Sequence, residues 1–376
     1  MAAILPWRRF WPIAAGISTK RSANKMTIKL PSGRIWPHLV CDMLGLNLTH
    51  PRFVIDDIDL GKKDASTCRG DFPKFAEWGV GVVMCKGGAA YYNDNYKPLW
   101  RQESEWRPGR GSEDMFLSLA IKNPTQLVLG VLDRFLLNVE AYPEQVLLVR
   151  TAQDLDAARA AGKVAVLMGA NRSDWFGDGP GILRMFARLG LRMITLGQAT
   201  RELGWDASNE TRSGGRMTEL GLRMIGEMNA AGILIDLAHS NDPCALDIIE
   251  VSTKPVVDSH SHPRALVDEP RAAPDEVMRS LAERGGVLGI PPPITRPPGD
   301  APYRAVAPEQ LEQTLVQVRY AVDVMGVEGV GIGTHFNSAV LPWVVEGLLD
   351  AGFAEEDTSK ICGGNYLRVL REVLPA

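Results

Sequence analysis

The amino-acid sequence predicts a closed eight-stranded α/β barrel, the TIM (β/α)8 barrel. Short apolar strands alternate along the chain with polar loops and amphipathic helices, which is the order of repeated βα units. Most of the predicted strands are continuous runs of Val, Ile and Leu, as expected of parallel strands covered on both faces by helices. The 376 residues, 45% of them hydrophobic, are enough to bury one large core.

Eight segments are predicted as the barrel strands, in chain order: residues 52–58, 79–84, 163–168, 191–196, 232–236, 255–258, 286–290 and 329–333. Helical periodicity predicts the helices between them at residues 125–139, 152–160, 183–189, 218–230, 274–283 and 308–325. Gly190, Gly232 and Gly285 stand where helix C-caps belong, just before the next strand. We therefore expect one barrel domain over residues 51–376, preceded by an N-terminal tail and extension over residues 1–50.

The composition is typical of a globular protein and favours a small molecule as the substrate. The net charge of −4 provides no broad basic surface for nucleic acid, and no apolar run is long enough to span a membrane. Five scattered cysteines without a C-x-x-C pair suggest a reducing compartment, and we expect a cytoplasmic protein. Arg8 and Arg9 precede a short apolar run, so a twin-arginine export signal and a disordered tail both remain open.

Polar residues cluster directly after the predicted strands, where the chemistry of such barrels is placed. Four of the six histidines follow the fifth, sixth and eighth strands: His239, His260, His262 and His335. Two imidazoles from neighbouring strands, with carboxylates from the first strand, predict a metal site. The alternative for Asp56, Asp57 and Asp59 is turn and N-cap chemistry, and for a single histidine a hydrogen bond in a loop.

Five segments carry a resemblance to the membrane (renal) dipeptidases, which are binuclear zinc peptidases with a TIM-barrel fold. They are GKVAVLMG from Gly162, GLRMITL from Gly190, MNAAGILIDLAHS from Met228, KPVVDSHSHPRAL from Lys254 and CGGNYLRVLREV from Cys362. Together they are specific, and the resemblance extends from about residue 52 to the C-terminus.

The resemblance implies roles for individual residues. His239 and His260 match the family's metal-binding histidines, and Arg271 matches an arginine that binds the substrate carboxylate, although a surface salt bridge is the alternative. In the family a D-G-H-x-D motif ends the first strand, and VIDDIDL lacks its histidine, so Asp57 and Asp59 are expected as ligands instead.

Four further family positions are changed. Asn171 stands for the bridging Glu, Gln198 for a substrate-side His, and His335 for the Asp that handles protons; Asn337 likewise replaces a second Asp. We expect Asn171 and Gln198 on the substrate side and His335 as the acid/base, or else as a further ligand.

A neutral Asn171 cannot offset the repulsion of two dications, so one divalent metal is expected. It is zinc by family resemblance, with iron or manganese also suited to a site that contains carboxylates. The predicted function is a metal-dependent hydrolase of a small carboxylated amide or dipeptide-like substrate, and the sequence is compatible with a homodimer. The alternatives are a catalytically silent barrel that binds a ligand or partner, and a metal enzyme with non-hydrolytic chemistry.

Overall fold

Eight parallel strands form a nearly closed barrel in this computed structural model, which describes residues 27–48, 59–63, 70–88, 124–197, 201–210, 212, 214–292 and 308–376. The strands of the wall, in spatial order, are β3 (Val40–Asn47), β4 (Val80–Gly88), β6 (Val164–Asn171), β7 (Leu191–Thr195), β8 (Leu234–Asp236), β9 (Val257–Asp258), β10 (Val287–Ile290) and β11 (Val330–Ile332). A short antiparallel pair, β1 (Ile28–Lys29) and β2 (Ile35–Trp36), precedes the barrel, and β5 (Val146–Leu148) pairs with the first residues of β6.

The helices follow the strands as the βα order requires. They are α1 (Phe72–Glu77), α2 (Pro124–Ala141), α3 (Ala152–Ala160), α4 (Pro180–Leu189), α5 (Glu219–Ala231), α6 (Asp242–Val251), α7 (Asp275–Glu283), α8 (Pro308–Met325), α9 (Leu341–Asp350), α10 (Glu355–Ser359) and α11 (Asn365–Val373). Gly190 and Gly232 are left-handed C-caps of α4 and α5, as predicted. Among the described residues, no helix combines the length and apolar character that crossing a bilayer requires.

The prediction of the first strand is wrong. Residues 52–58 are outside the described part of the chain, and the strand beside β4 is β3, which pairs in parallel with it from Val40 onwards. The barrel therefore includes residues that the sequence analysis assigned to the N-terminal extension. The other seven predicted strands coincide with β4 and with β6 to β11.

The barrel interior is a packed core, closed at the amino ends of the strands. Met43, Met84 and Met193 fill it, and Tyr366 and Leu370 of α11 pack against the same cluster. A second cluster fills the space between the wall and the surrounding helices. Because both faces of the wall are covered, the carboxyl ends of the strands are left as the place for a site.

Candidate active site

Three histidines lie together at the carboxyl ends of β8, β9 and β11. The Nε2 atoms of His239 and His260 are 3.2 Å apart. The ring of His335 stacks on that of His260, with centroids 5.1 Å apart and planes inclined by 19°. The structure thus brings together the two predicted metal ligands and the predicted acid/base.

The backbone is strained where these strands end. Among the described non-glycine residues, those with positive φ are Arg172, His239, His335 and Phe336, with φ of 68°, 70°, 53° and 73°. Each follows the carboxyl end of a barrel strand. Left-handed backbone costs roughly 1–3 kcal/mol for a side chain with a Cβ, and such strain is concentrated at functional sites.

His260 is oriented by two residues beneath it. Its Nδ1 lies 2.7 Å from the Ser259 hydroxyl, which lies 2.7 Å from Oδ2 of Asp236. Since the hydroxyl donates its single proton to the carboxylate, it accepts from Nδ1–H, and Nε2 is left as a lone pair facing His239. Burial, followed by the nearby Arg271 and Lys86, holds the pKa of His260 well below its ordinary value, so the ring is neutral.

Asp236 is the centre of a buried polar network. Its Oδ2 accepts from Lys86 Nζ at 3.0 Å, from the Thr195 hydroxyl at 2.5 Å and from Ser259. Burial raises the pKa of this carboxyl, but Lys86 and the hydroxyl hydrogen bonds outweigh burial and bring the pKa below its ordinary value. Asp236 is therefore an anion. Lys86, Ser259 and Thr195 were not among the predicted site residues; a lysine inside an apolar strand was the signal for Lys86.

Arg271 and Asp258 also belong to this region. Arg271 donates from Nη2 to the backbone oxygen of His260 at 3.1 Å, which places the guanidinium beside the histidines and makes it more than a surface salt bridge. Burial and the neighbouring Asp236 raise the pKa of Asp258 to about 7, against the lowering effect of the Ser261 hydroxyl.

The other predicted site residues are distributed differently. Asn171 is the last residue of β6, in register with Thr195 of β7, so it stands at the same end of the barrel as the histidines. Gln198 and Asp57 are outside the described residues.

Asp59 is at the other end of the barrel, which corrects its prediction as a metal ligand. Its carboxylate binds the Gly61 amide and Lys62 in a tight turn, each at 3.1 Å, and accepts a hydrogen bond from Tyr142. Tyr142 follows α2 and precedes β5, whose Val146 is in register with the first residue of β6. The hydrogen bonds and the ion pair of this turn occupy the Asp59 carboxylate.

Comparison with known proteins agrees with the barrel fold. Residues 62–375 match the model of the membrane dipeptidase family, peptidase family M19. The chain belongs to this family. Dipeptidase tcpJ of Claviceps purpurea (strain 20.1) is 32% identical over 249 residues, which are 62% of this chain and 57% of that protein. Dipeptidase 3 of Mus musculus is 28% identical over 270 residues, 67% of this chain and 52% of that one. The chain thus spans little more than half the length of these relatives.

Solved structures of a probable dipeptidase and a metallopeptidase share the fold. The probable dipeptidase PvdM of Pseudomonas aeruginosa superposes with a TM-score of 0.69 at 19% identity, covering 90% of this chain and 96% of its own. A metallopeptidase of Rhodobacter sphaeroides, solved with a phosphinate mimic of the dipeptide L-Ala-D-Ala, gives 0.70 at 19% identity, with 89% and 99% covered. Both support the TIM-barrel architecture.

The true first strand changes the comparison with the family's D-G-H-x-D motif. β3 reads VCDMLGLN, with Leu44 and Leu46 at the spacing of the motif's His and second Asp from Asp42, and it lies before residue 62, where the family match begins. Both leucines are buried and have no atom that binds a metal. Asn171 at the carboxyl end of β6 is neutral, so neither it nor these two leucines offers a charged metal ligand.

The positions of His239 and His260 fit one metal ion. Two nitrogens bound to zinc at about 2.0–2.1 Å with tetrahedral geometry lie about 3.3 Å apart, close to the 3.2 Å between His239 and His260. The Ser259 and Asp236 chain holds the His260 lone pair toward that position. Among the described residues no group of three His, Cys, Asp or Glu side chains is arranged around one point for a metal. The described residues therefore provide two imidazoles, those of His239 and His260, for a metal ion.

Proposed function

We propose that this family member is a metal-dependent hydrolase of the dipeptidase type that works with one divalent ion held by His239 and His260. The spacing of the two Nε2 atoms, together with the fixed tautomer of His260, is the observation that supports it most directly. When bound, a divalent ion supplies a more acidic water and polarises the amide carbonyl.

The protein side chains supply binding and proton transfer. We propose that Arg271, beside His260, binds the carboxylate of a dipeptide-like substrate through its paired donors. His335, stacked on His260, is placed to move a proton between the water and the departing amine, since imidazole titrates near neutral pH. Asn171 and Gln198 are proposed as neutral polar groups on the substrate side.

The nature of the ligands also sets the preference for the metal. Asp59 is not in the site, and the first strand presents Leu44 and Leu46, so the described ligands are imidazoles alone. Imidazole suits zinc, copper, iron and nickel, whereas manganese prefers sites that contain carboxylates. We propose zinc, as the family resemblance implies; iron also suits the two imidazoles, and manganese depends on Asp57, which is outside the described residues.

A second candidate is a silent barrel that binds a small carboxylated ligand without hydrolysis. Leu44 and Leu46 favour it, because they remove two ligand positions at once. One experiment separates the two: the protein is stripped with a chelator, reloaded with zinc, and assayed on a panel of L,L- and L,D-dipeptides. Hydrolysis that requires zinc and disappears in His260→Ala supports the first candidate. Binding of a dipeptide without turnover at any zinc concentration supports the second and contradicts the first.

A further inference from the structure

Lys86 is a buried cation that crosses the barrel interior. It lies on β4 and its ammonium contacts Asp236 of β8 at 3.0 Å, with both side chains almost completely buried. In the sheet β6 and β7 separate these two strands. The ion pair therefore links strands that do not neighbour each other, beneath the histidine cluster.

Stability alone is a poor explanation for such a pair. Removing two charges from water costs about as much as their attraction returns, and apolar replacements of similar volume are often as stable. The next layer of the interior toward the amino ends of the strands is methionine and aliphatic, with Met84 two residues before Lys86 on the same strand and Met193 on β7. A lysine here calls for a role that an apolar side chain cannot fill.

The hydrogen bonds of Asp236 identify that role. As an anion it accepts from Ser259, so the Ser259 hydroxyl points away from His260 and accepts from Nδ1–H. Lys86 is the largest of the groups that hold this carboxyl ionised against burial, so without the ammonium we expect it to take up a proton. It can then donate to Ser259, the hydroxyl turns to donate to Nδ1, and the ring proton of His260 moves to Nε2. A proton on Nε2 occupies the place where the site needs a lone pair.

We propose that Lys86 is a positioning residue for His260: it keeps Asp236 a carboxylate, which fixes the direction of the Ser259 hydroxyl and presents Nε2 of His260 as a lone pair. The chain of contacts from Lys86 to Nδ1 consists of three steps of 3.0, 2.7 and 2.7 Å. The inference rests on the proposed function only in treating His260 as a functional imidazole.

The tautomer of His260 in metal-free protein tests this directly. With nitrogen-15 in the histidine rings, NMR distinguishes a protonated Nδ1 from a protonated Nε2. We expect Nδ1–H in the unmodified protein, a shift to Nε2–H in Lys86→Met, and retention of Nδ1–H in Lys86→Arg, which keeps the charge. Lys74→Met is the matched control, because Lys74 pairs with Asp71 at the start of α1. An unchanged His260 tautomer in folded Lys86→Met would overturn the proposal.

Ser259→Ala gives a second test if Lys86→Met does not fold. It removes the link between Asp236 and His260 and leaves the ion pair in place, so the preference for Nδ1–H should be lost; a full preference would contradict the relay. Zinc affinity, measured by titration calorimetry, should fall about 10–100-fold in both variants, the usual effect of removing such a supporting group. Because the tautomer is read without metal or substrate, a protein that shows the shift but no hydrolysis refutes the proposed function and not the relay.

Discussion

Asp42 on β3 and Thr334, two residues beyond β11, are joined by two hydrogen bonds at the point where the barrel closes. Oδ1 of Asp42 accepts from the Thr334 amide at 3.0 Å, and Oδ2 accepts from its hydroxyl at 2.5 Å. The Phe336 amide donates to Leu44 O at 2.8 Å across the same junction. The Asp42 carboxylate thus links the first and last strands, as backbone hydrogen bonds link neighbouring strands elsewhere in the sheet.

Asp42→Ala should therefore destabilise the fold strongly. The Leu44 amide, the Ser338 hydroxyl and both Thr334 donors lose their acceptor in a buried place, at about 1–3 kcal/mol for each group left without a partner. Partial relaxation should leave a total loss of about 3 kcal/mol or more in the free energy of unfolding, measured with urea. Asp156→Ala, which removes an exposed ion pair with Arg371, is the control and should cost under about 1 kcal/mol. Equal losses in the two variants would contradict this role of Asp42.

Most of the fold could be predicted from the sequence, because buried parallel strands consist of continuous apolar runs. Val287–Ile290 is such a run, as is most of Val164–Asn171, and the glycines after the helices mark where the next strand begins. The sequence was also sufficient for the histidines, because residues after a strand must lie at one end of the barrel. His239 and His260 therefore meet although 21 positions separate them.

The first strand and the support of the site were not predictable in this way. Residues 40–47 and 52–58 are both apolar runs that contain aspartate, and periodicity does not tell which one joins the sheet. The choice depends on the hydrogen bonds of Asp42 to Thr334, which are 292 residues apart. The pairing of Lys86 with Asp236 is likewise a contact across the barrel, and a single lysine in a strand does not identify its partner.

His260→Ala should remove tightly bound metal. The variant takes away one of two imidazoles that converge on the proposed ion, and metal content after dialysis, measured by elemental analysis, should fall to near zero. His262→Ala is a matched control from the same loop, because its Nδ1 is hydrogen-bonded to Gln317 at 2.6 Å. A His260→Ala protein that retains one full equivalent would contradict the metal site.

The metal count should not exceed one per chain at neutral pH. Asn171 provides no bridging charge, and Leu44 and Leu46 provide no ligands on the first strand. For the same reason Asn171→Glu alone should leave the count at one, since a bridge without partners does not hold a second dication. Two equivalents of zinc in the unmodified protein would mean that carboxylates outside the described residues complete a second site.

His335 and Arg271 should affect different kinetic constants. His335→Gln should lower kcat with little change in KM, because an acid/base acts mainly in the transition state. Arg271→Lys keeps the charge but loses the paired donors, so KM for a dipeptide should rise by the equivalent of about 1–3 kcal/mol. Steady-state kinetics with zinc in excess measures both. A rise in KM alone for His335→Gln would remove it from the proton-transfer role.

Asp258 should make the metal-free protein less stable as the pH rises from 4 to 7. Its folded pKa is about 7, because of burial and the neighbouring Asp236, whereas the unfolded value is about 3.9. The folded state therefore holds the proton more tightly. This contribution to stability is complete below the unfolded pKa and is lost as pH rises through the folded pKa, with a total of about 4 kcal/mol for three pKa units. Asp258→Asn mimics the protonated form, so its free energy of unfolding should exceed that of the unmodified protein by an amount that grows between about pH 4 and pH 7 and stays constant above that. Urea unfolding in the presence of a chelator measures both proteins at each pH, and other titrating groups cancel in the difference. Parallel pH profiles for the two proteins would show that Asp258 is ionised in the fold throughout this range.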